Sequence, residues 1–306
     1  MRVAVTGAAG RLGRALVGAL EDAPFSGPFG PIGWARDAFD LDVPDAVPER
    51  LEGDRIEAVV HAAAWTDVDG CARDPERALA RNAHATGVLA RACAARGIDL
   101  VLVSTNEVFD GRRDDGLGYA PNDRPAPANP YGASKLAAER EAVAAFDAPT
   151  AGQLAIVRTS WLFGPGKPDF PAKILDAAVR ARASAEPLRA VADEWGRPTY
   201  AADLAEAIVE LLAAGAFGGV HHLVNGGIAT RADWARDVLD RAGLDVRLEE
   251  VPAASWPRAS TPPRWGVLEP TVPPSGEPLR AWPLAMADYA PILLRDRLAG
   301  RDRAIR

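Results

Sequence analysis

The chain has 306 residues, 48% of them hydrophobic and 25% charged, a composition that allows a sizeable buried core and excludes disordered and fibrous classes. A formal net charge of -7 argues against a dedicated nucleic-acid binder, whose footprint is a basic face. Two cysteines, Cys71 and Cys93, are too few for a disulfide framework and too isolated for a zinc site, so they read as buried thiols.

Residues 1–10 contain no basic segment followed by an apolar run of signal-peptide length, and no stretch of about 18 apolar residues occurs. The expectation is a cytoplasmic protein without a membrane partner. In chain order, a strand over 2–6 runs into a glycine-rich turn and a helix over 11–20. Strands over 33–36 and 56–62 follow, then a long alanine-rich helix over 75–96 and a strand over 99–104 (DLVLVS). That continuous apolar run suits a parallel strand buried on both faces. A helix begins near Tyr131 and a further strand covers 154–159. Helices over 201–213 and 230–242 and strands over 220–224 and 246–251 come next. The proline-rich stretch 252–283 reads as loops of a second lobe, with 270–278 the part closest to disorder in composition. The run 295–306 reads as a fraying terminal helix. Alternating strands and helices predict the α/β class, with a Rossmann-type doubly wound parallel sheet over 1–155. The rest, 156–306, reads mostly as a smaller C-terminal α+β lobe for substrate, with some segments returning to the first domain.

Gly7, Gly10 and Gly13 lie in TGAAGRLG, directly after the first strand and at the start of a helix. A tight turn there needs backbone angles that side chains resist, and a pyrophosphate can approach where no Cβ stands, facing helix amides. This predicts dinucleotide binding. Arg36 at the tip of the second strand can pair with a 2′-phosphate, which favours NADPH and leaves NADH open.

Tyr131 and Lys135, in YGASK, are spaced to share one helix face. A nearby cation favours tyrosinate, so the Tyr131 pKa is expected to fall toward working pH, which suits a general acid. Thr105, just past the end of a parallel strand, can donate to a substrate carbonyl. Asn82 is either an anchor behind Lys135 or an ordinary helix-surface asparagine. The adjacent His221 and His222 would point to opposite faces of a strand, so no metal site is expected. The RRDD run at 112–115 reads as a solvated loop or a lid.

Taken together, TGAAGRLG, HAAAWTDVD (61–69), STNEVFDG (104–111), NPYGASKLAAE (129–139), RTSWLFGPG (158–166), EWGRPTYAADLA (194–205) and HHLVNGG (221–227) resemble the extended short-chain dehydrogenase/reductases. Within them the chain is most similar to the dTDP-4-dehydrorhamnose reductase family, over nearly its whole length. The resemblance implies an NAD(P)H-dependent oxidoreductase of deoxysugar biosynthesis that reduces a dTDP-linked 4-keto-6-deoxysugar. Tyr131 would protonate the oxygen, Lys135 hold the nicotinamide ribose and Thr105 orient the carbonyl. The cofactor set reads as Gly7, Gly10, Arg11, Leu12, Gly13, Arg36, Asp42, Ala62, Ala63 and Ala64, with Tyr131 and Lys135. The substrate set reads as Thr66, Val68, Asp69, Thr105, Asn106, Glu107, Trp161 and Arg264. A homodimer is common for such folds, although no long apolar stripe compels one.

Two departures stand out. Asn106-Glu107 replaces the usual aspartate and aromatic residue after the threonine, and Glu107 resembles the base of related dehydratases, which makes an epimerase or dehydratase the alternative. Asn106 cannot donate a proton as a carboxylic acid would. Trp265 stands where such reductases carry a second arginine after Arg264. A non-catalytic NADP-binding subunit, like the regulatory subunit of methionine adenosyltransferase, is the other alternative; against it, Thr105, Tyr131 and Lys135 are all present.

Overall fold

The computed structural model describes residues 1–147 and 152–304. Its centre is a six-stranded parallel sheet of β1 (Val3–Thr6), β2 (Ile32–Trp34), β3 (Ala58–His61), β4 (Asp99–Thr105), β5 (Leu154–Thr159) and β6 (Val220–His222), in the order β6-β5-β4-β3-β1-β2. Because successive side chains alternate across a strand, two sets of apolar residues leave the sheet in opposite directions. Val3, Val5, Ala58, Val60, Val101, Ala155 and Val157 meet α1 (Arg11–Glu21) and the helix Ala201–Ala214. Ala4, Val59, Leu100, Leu102 and Ile156 meet the helices Ala85–Ala94 and Pro130–Phe146. Both faces are covered, as a parallel sheet requires, and the Rossmann-type α/β expectation holds.

A second apolar centre gathers Phe163, Ile174, Leu175, Trp234, Val238, Met286 and Tyr289 beyond the sheet. It is built from the helices Phe170–Ser184, Arg231–Arg241 and Trp282–Ala304 and the parallel strand pair Leu188–Val191 with Leu248–Val251. Sequence periodicity missed Phe170–Ser184, whose N-terminus is marked by Asp169 accepting from the Ala172 amide at 2.9 Å.

Three expectations are adjusted. β2 ends at Trp34 rather than at Arg36, because the Trp34 carbonyl accepts from the Ala8 amide of the glycine loop at 3.3 Å and the chain then turns. The long helix ends at Ala94, and its middle, Leu79–His84, is wound as a π-helix. Segment 270–278 lies against the body: the Thr271 amide donates to the His222 carbonyl at 2.9 Å and the Ser275 amide to Glu210 at 3.2 Å. Among the described residues no helix is long and apolar enough to cross a membrane.

Candidate active site

The site lies where open α/β sheets place their ligands, beyond the carboxyl ends of the strands. At the end of β1, Gly7 sits at φ +67°. A Cβ on Gly13 would come within 2.1 Å of the Gly7 carbonyl oxygen, and one on Gly7 within 3.0 Å of the Ala63 backbone. Only glycines allow the turn, the close start of α1 and the adjacent chain of Ala62, Ala63 and Ala64 to coexist. Gly10 caps α1 with no side-chain hydrogen bond, so the first-turn amides of Arg11 and Leu12 are claimed by no capping group. This cradle fits a dinucleotide pyrophosphate. The side chains of Arg11 and Leu12 are engaged elsewhere: Leu12 is in the core, and Arg11 donates to the carbonyls of Gly164 at 3.0 Å and Lys167 at 2.5 Å.

At the tip of β2, Arg36 is 74% exposed and pairs with Asp40 at 3.0 Å and Asp42 at 3.1 Å. Asp42 is already satisfied by a bidentate contact from Arg81, at 2.6 and 2.5 Å. Exposed pairs of the Arg36 kind contribute little, so the guanidinium can turn to a 2′-phosphate at small cost.

The catalytic candidates converge on one helix. Asn129 caps Pro130–Phe146, accepting from the Gly132 amide at 2.9 Å and donating to Glu107 at 2.5 Å. A Cβ on Gly132 would lie 1.9 Å from the Glu107 carbonyl oxygen, so glycine there lets the helix approach the end of β4. That approach brings Tyr131 close to Thr105, whose hydroxyl favours the ionised phenol. Tyr131 packs with Cys71 and Ala78, against Val68 and Trp65.

The expected lowering of the Tyr131 pKa is not found. Burial pushes the phenol up, the Glu107 carboxylate adds to this, and the Thr105 hydrogen bond opposes it without winning. A phenol that keeps its proton at working pH is in the correct state for a general acid. Lys135 is also buried, and burial brings its pKa down to about 8 against the opposing effect of Glu139. Among the described residues its ammonium has no carboxylate within bridging distance. A buried, unpaired ammonium is costly to the fold and open to a ligand hydroxyl.

The sign of that cost is testable. Between about pH 8 and the 10.5 of an ordinary lysine, the unfolded chain binds more protons than the folded one, so stability rises with pH across that window. Lys135→Met, which removes the buried charge, is therefore expected to stabilise the protein at pH 7 by up to about 3 kcal/mol. The advantage should shrink when urea unfolding is repeated at pH 10. An equal advantage at both pH values would show that the ammonium is not the cause.

Asn82 is no surface residue. It is 1% exposed, accepts from the Trp65 amide at 2.7 Å, and donates to the Trp65 carbonyl at 3.1 Å and the Ser134 hydroxyl at 3.0 Å. It ties the chain after β3 to the helix carrying Tyr131 and Lys135 from within the π-wound turn, a distortion frequent at functional sites. Beneath it, His61 bridges the Thr6 hydroxyl at 2.8 Å and the Thr86 hydroxyl at 3.0 Å, and burial takes its pKa down to about 3.

The predicted substrate residues divide. Val68 reaches the Tyr131 cluster, whereas Thr66 is exposed. Asp69 accepts from the Ser260 amide at 2.9 Å and hydroxyl at 2.7 Å, fastening the loop of the second lobe, and these bonds hold its pKa down. The Asn106 amide donates to the Gly266 carbonyl at 3.0 Å, so it holds that loop. Glu107 faces inward, its pKa raised by burial and opposed by Asn129 and by the charges of Arg231 and Arg258. Trp161 has a left-handed φ of +46°, stacks on Trp234 at 6.0 Å and carries the Arg231 guanidinium 3.6 Å over its ring. Arg264 is exposed, and Trp265 donates to the Leu117 carbonyl at 2.7 Å, fastening the 112–118 loop.

Sequence reading missed Thr159, Arg158 and Arg231. Thr159 pairs in register with Thr105, shares its face, and has a buried hydroxyl without a partner. Arg158 makes a bidentate contact to Glu139 at 3.0 and 2.7 Å, and Ser104 donates to the same carboxylate at 2.5 Å. The RTS motif held the first two in plain view, but nothing local distinguishes a ligand-facing threonine from a buried one.

Comparison with known proteins agrees with this fold. A dTDP-4-dehydrorhamnose reductase from Mycobacterium tuberculosis is 37% identical over 305 residues, covering 94% of this chain and 91% of that protein. A dTDP-4-keto-6-deoxy-D-glucose reductase from Streptomyces niveus is 36% identical over 299 residues, covering 95% and 97%. The crystal structure of dTDP-4-dehydrorhamnose reductase from Bacillus anthracis in complex with NADP superposes with a TM-score of 0.83 at 28% identity, covering 94% of this chain and 98% of that one. The family described as RmlD substrate binding domain matches residues 1–291, and the chain belongs to it.

Proposed function

We propose that this protein is an NADPH-dependent reductase of a dTDP-linked 4-keto-6-deoxysugar, acting in deoxysugar biosynthesis, with Tyr131 as general acid. The observation that carries the reading is that buried Tyr131 and Lys135 lie one turn apart on the helix that Asn129 caps and that Gly132 lets close onto Glu107, at the end of the strand carrying Thr105. When bound, NADPH supplies the hydride. Gly7, Gly10, Gly13 and the first-turn amides of α1 would hold its pyrophosphate, Arg36 its 2′-phosphate and Lys135 its nicotinamide ribose. Thr105 orients the substrate carbonyl by donating to its oxygen, and Tyr131 gives its proton to that oxygen as negative charge develops there. Tyr131 is positioned beforehand by the Asn129 cap and by Asn82 through Ser134, and Thr105 by the Glu107 amide that donates to its hydroxyl at 3.2 Å, so little reorganisation remains for the reacting complex.

A dehydratase needs an acid and a base after the threonine. Asn106 has no acidic proton and its amide is committed to Gly266, which favours the reductase.

The test is the absorbance of the reduced nicotinamide during incubation with dTDP-4-dehydrorhamnose. Stoichiometric NADPH oxidation is expected; no oxidation by protein that still binds NADPH would overturn the reading. For the cofactor, Arg36→Ala is expected to weaken NADPH by about tenfold or more, the scale of a charged hydrogen bond, and to leave NADH unchanged. Equal losses for both would remove Arg36 from the 2′-phosphate site.

A further inference from the structure

Residues 260–266 of the second lobe lie as a strap against the carboxyl end of β4. On the second-lobe side, the Trp195 amide donates to the Arg264 carbonyl at 2.8 Å and the Gly266 amide to the Trp195 carbonyl at 2.9 Å. On the sheet side three side chains hold the strap. Asp69 accepts from Ser260, Asn129 donates to the Thr261 carbonyl at 3.1 Å, and Asn106 donates to the Gly266 carbonyl at 3.0 Å.

Asn106 differs from the other two, because its far end meets the catalytic group. The side chain is 3% exposed, and its Oδ1 accepts from the Thr105 hydroxyl at 3.4 Å. The Gly266 carbonyl needs a donor, so the amide can be turned only one way, and because an amide is planar, fixing Nδ2 on the strap fixes Oδ1 beside Thr105. The Thr105 hydroxyl already accepts from the Glu107 amide at 3.2 Å, which leaves its single proton pointing to Oδ1. At 3.4 Å that last bond is long, so the proton can pass to a substrate carbonyl at small cost.

The strap is shaped for this contact. A Cβ on Gly266 would lie 2.4 Å from Asn106 Nδ2, so only glycine lets the amide approach. An aspartate, usual in such reductases where Asn106 stands, has no donor once ionised and could not hold the Gly266 carbonyl. We propose that Asn106 is a positioning residue that couples the seating of the strap to the aim of the Thr105 hydroxyl, a tie particular to this chain; the proposal rests on the reductase reading.

The test compares the wild type with Asn106→Asp, which keeps the shape and removes the donor, at pH 7 and pH 5. Hydrogen exchange of the NADPH-loaded protein reads the strap directly. At pH 7 the amides of 260–266 should exchange about 10-fold faster in the variant than in the wild type, the scale of leaving a buried carbonyl without its donor. In the absorbance assay kcat should fall by about 10-fold or more, as expected of a misaimed catalytic group, with NADPH affinity unchanged. Burial beside a carbonyl raises a carboxyl pKa above the ordinary value of about 3.9, and a protonated carboxyl can donate. Both deficits, each taken against the wild type at the same pH, should therefore shrink at pH 5. Asn106→Ala, with no proton to regain, should be impaired equally at both. Unchanged strap exchange in Asn106→Asp overturns the proposal, as does a kcat deficit that is the same at pH 5 and pH 7. If Asn106→Asp does not bind NADPH and is therefore misfolded, Gly266→Ala, whose methyl displaces the amide, is measured instead; wild-type exchange and kcat there overturn the proposal, and faster exchange with lower kcat supports it. The wild-type assay separates the two failures. Turnover of dTDP-4-dehydrorhamnose with insensitive variants removes the role of Asn106 alone, whereas absence of turnover removes the reductase reading itself.

Discussion

Tyr131→Phe is expected to lower kcat by ~10² or more, the contribution typical of a positioned general acid, while NADPH affinity stays near the wild-type value. The substitution deletes one oxygen and keeps the ring, so the packing against Cys71, Ala78, Val68 and Trp65 is preserved. What disappears is the proton donor near Thr105. Because burial and Glu107 raise the phenol pKa, the acid is protonated across the neutral range, and the wild-type rate should not fall below neutral pH through loss of a tyrosinate. Single-turnover measurements with NADPH and the ketosugar would isolate the chemical step. A variant with wild-type turnover would remove Tyr131 from the acid's place.

Glu139→Ala is the second large effect, on stability. The Glu139–Arg158 pair has side chains 5% and 4% exposed, with two guanidinium contacts and a third bond from Ser104. Deleting the carboxylate strands a buried guanidinium, at a cost of about 3–5 kcal/mol. In a chain of this size that lowers the melting temperature by roughly 10 °C. The double variant Glu139→Met with Arg158→Met should recover much of the loss, since two apolar side chains leave no uncompensated charge. Thermal unfolding followed by near-ultraviolet circular dichroism distinguishes the cases. If the double variant is as unstable as Glu139→Ala, the damage comes from lost packing instead. Turnover should fall with Glu139→Ala as well, since Ser104 adjoins Thr105 and Glu139 lies one helical turn beyond Lys135.

Much of this architecture was legible from local pattern. The glycine loop reads directly because the backbone angle at Gly7 and the missing Cβ at Gly13 are demands met within a few residues. The apolar runs of β4 and β5 read directly because both faces are buried, and Tyr131 and Lys135 because helical spacing puts them on one face. The helix Phe170–Ser184 was missed although Asp169 caps it, since an aspartate before a proline-containing segment also suits a turn.

The ionisation states were beyond reach in a different way. Sequence spacing placed a cation near Tyr131 and implied a lowered pKa, but desolvation depends on every element packed around the phenol and reversed the sign. Arg36 was identified as a cation at a strand tip, while its pairing with Asp40 and Asp42 arises from the turn that follows.

By itself the sequence determined the doubly wound fold, the glycine turn after β1 and the shared helix face of Tyr131 and Lys135, because each rests on patterns local to a strand, turn or helix. Only the tertiary structure decided that Asn82 braces two elements, that Asp69 and Asn106 hold the loop of the second lobe, and that Arg231 stands over the Trp161 ring. Those roles depend on which distant groups share a buried space, and the physical chemistry of a charged or polar side chain is set by that space rather than by its neighbours along the chain.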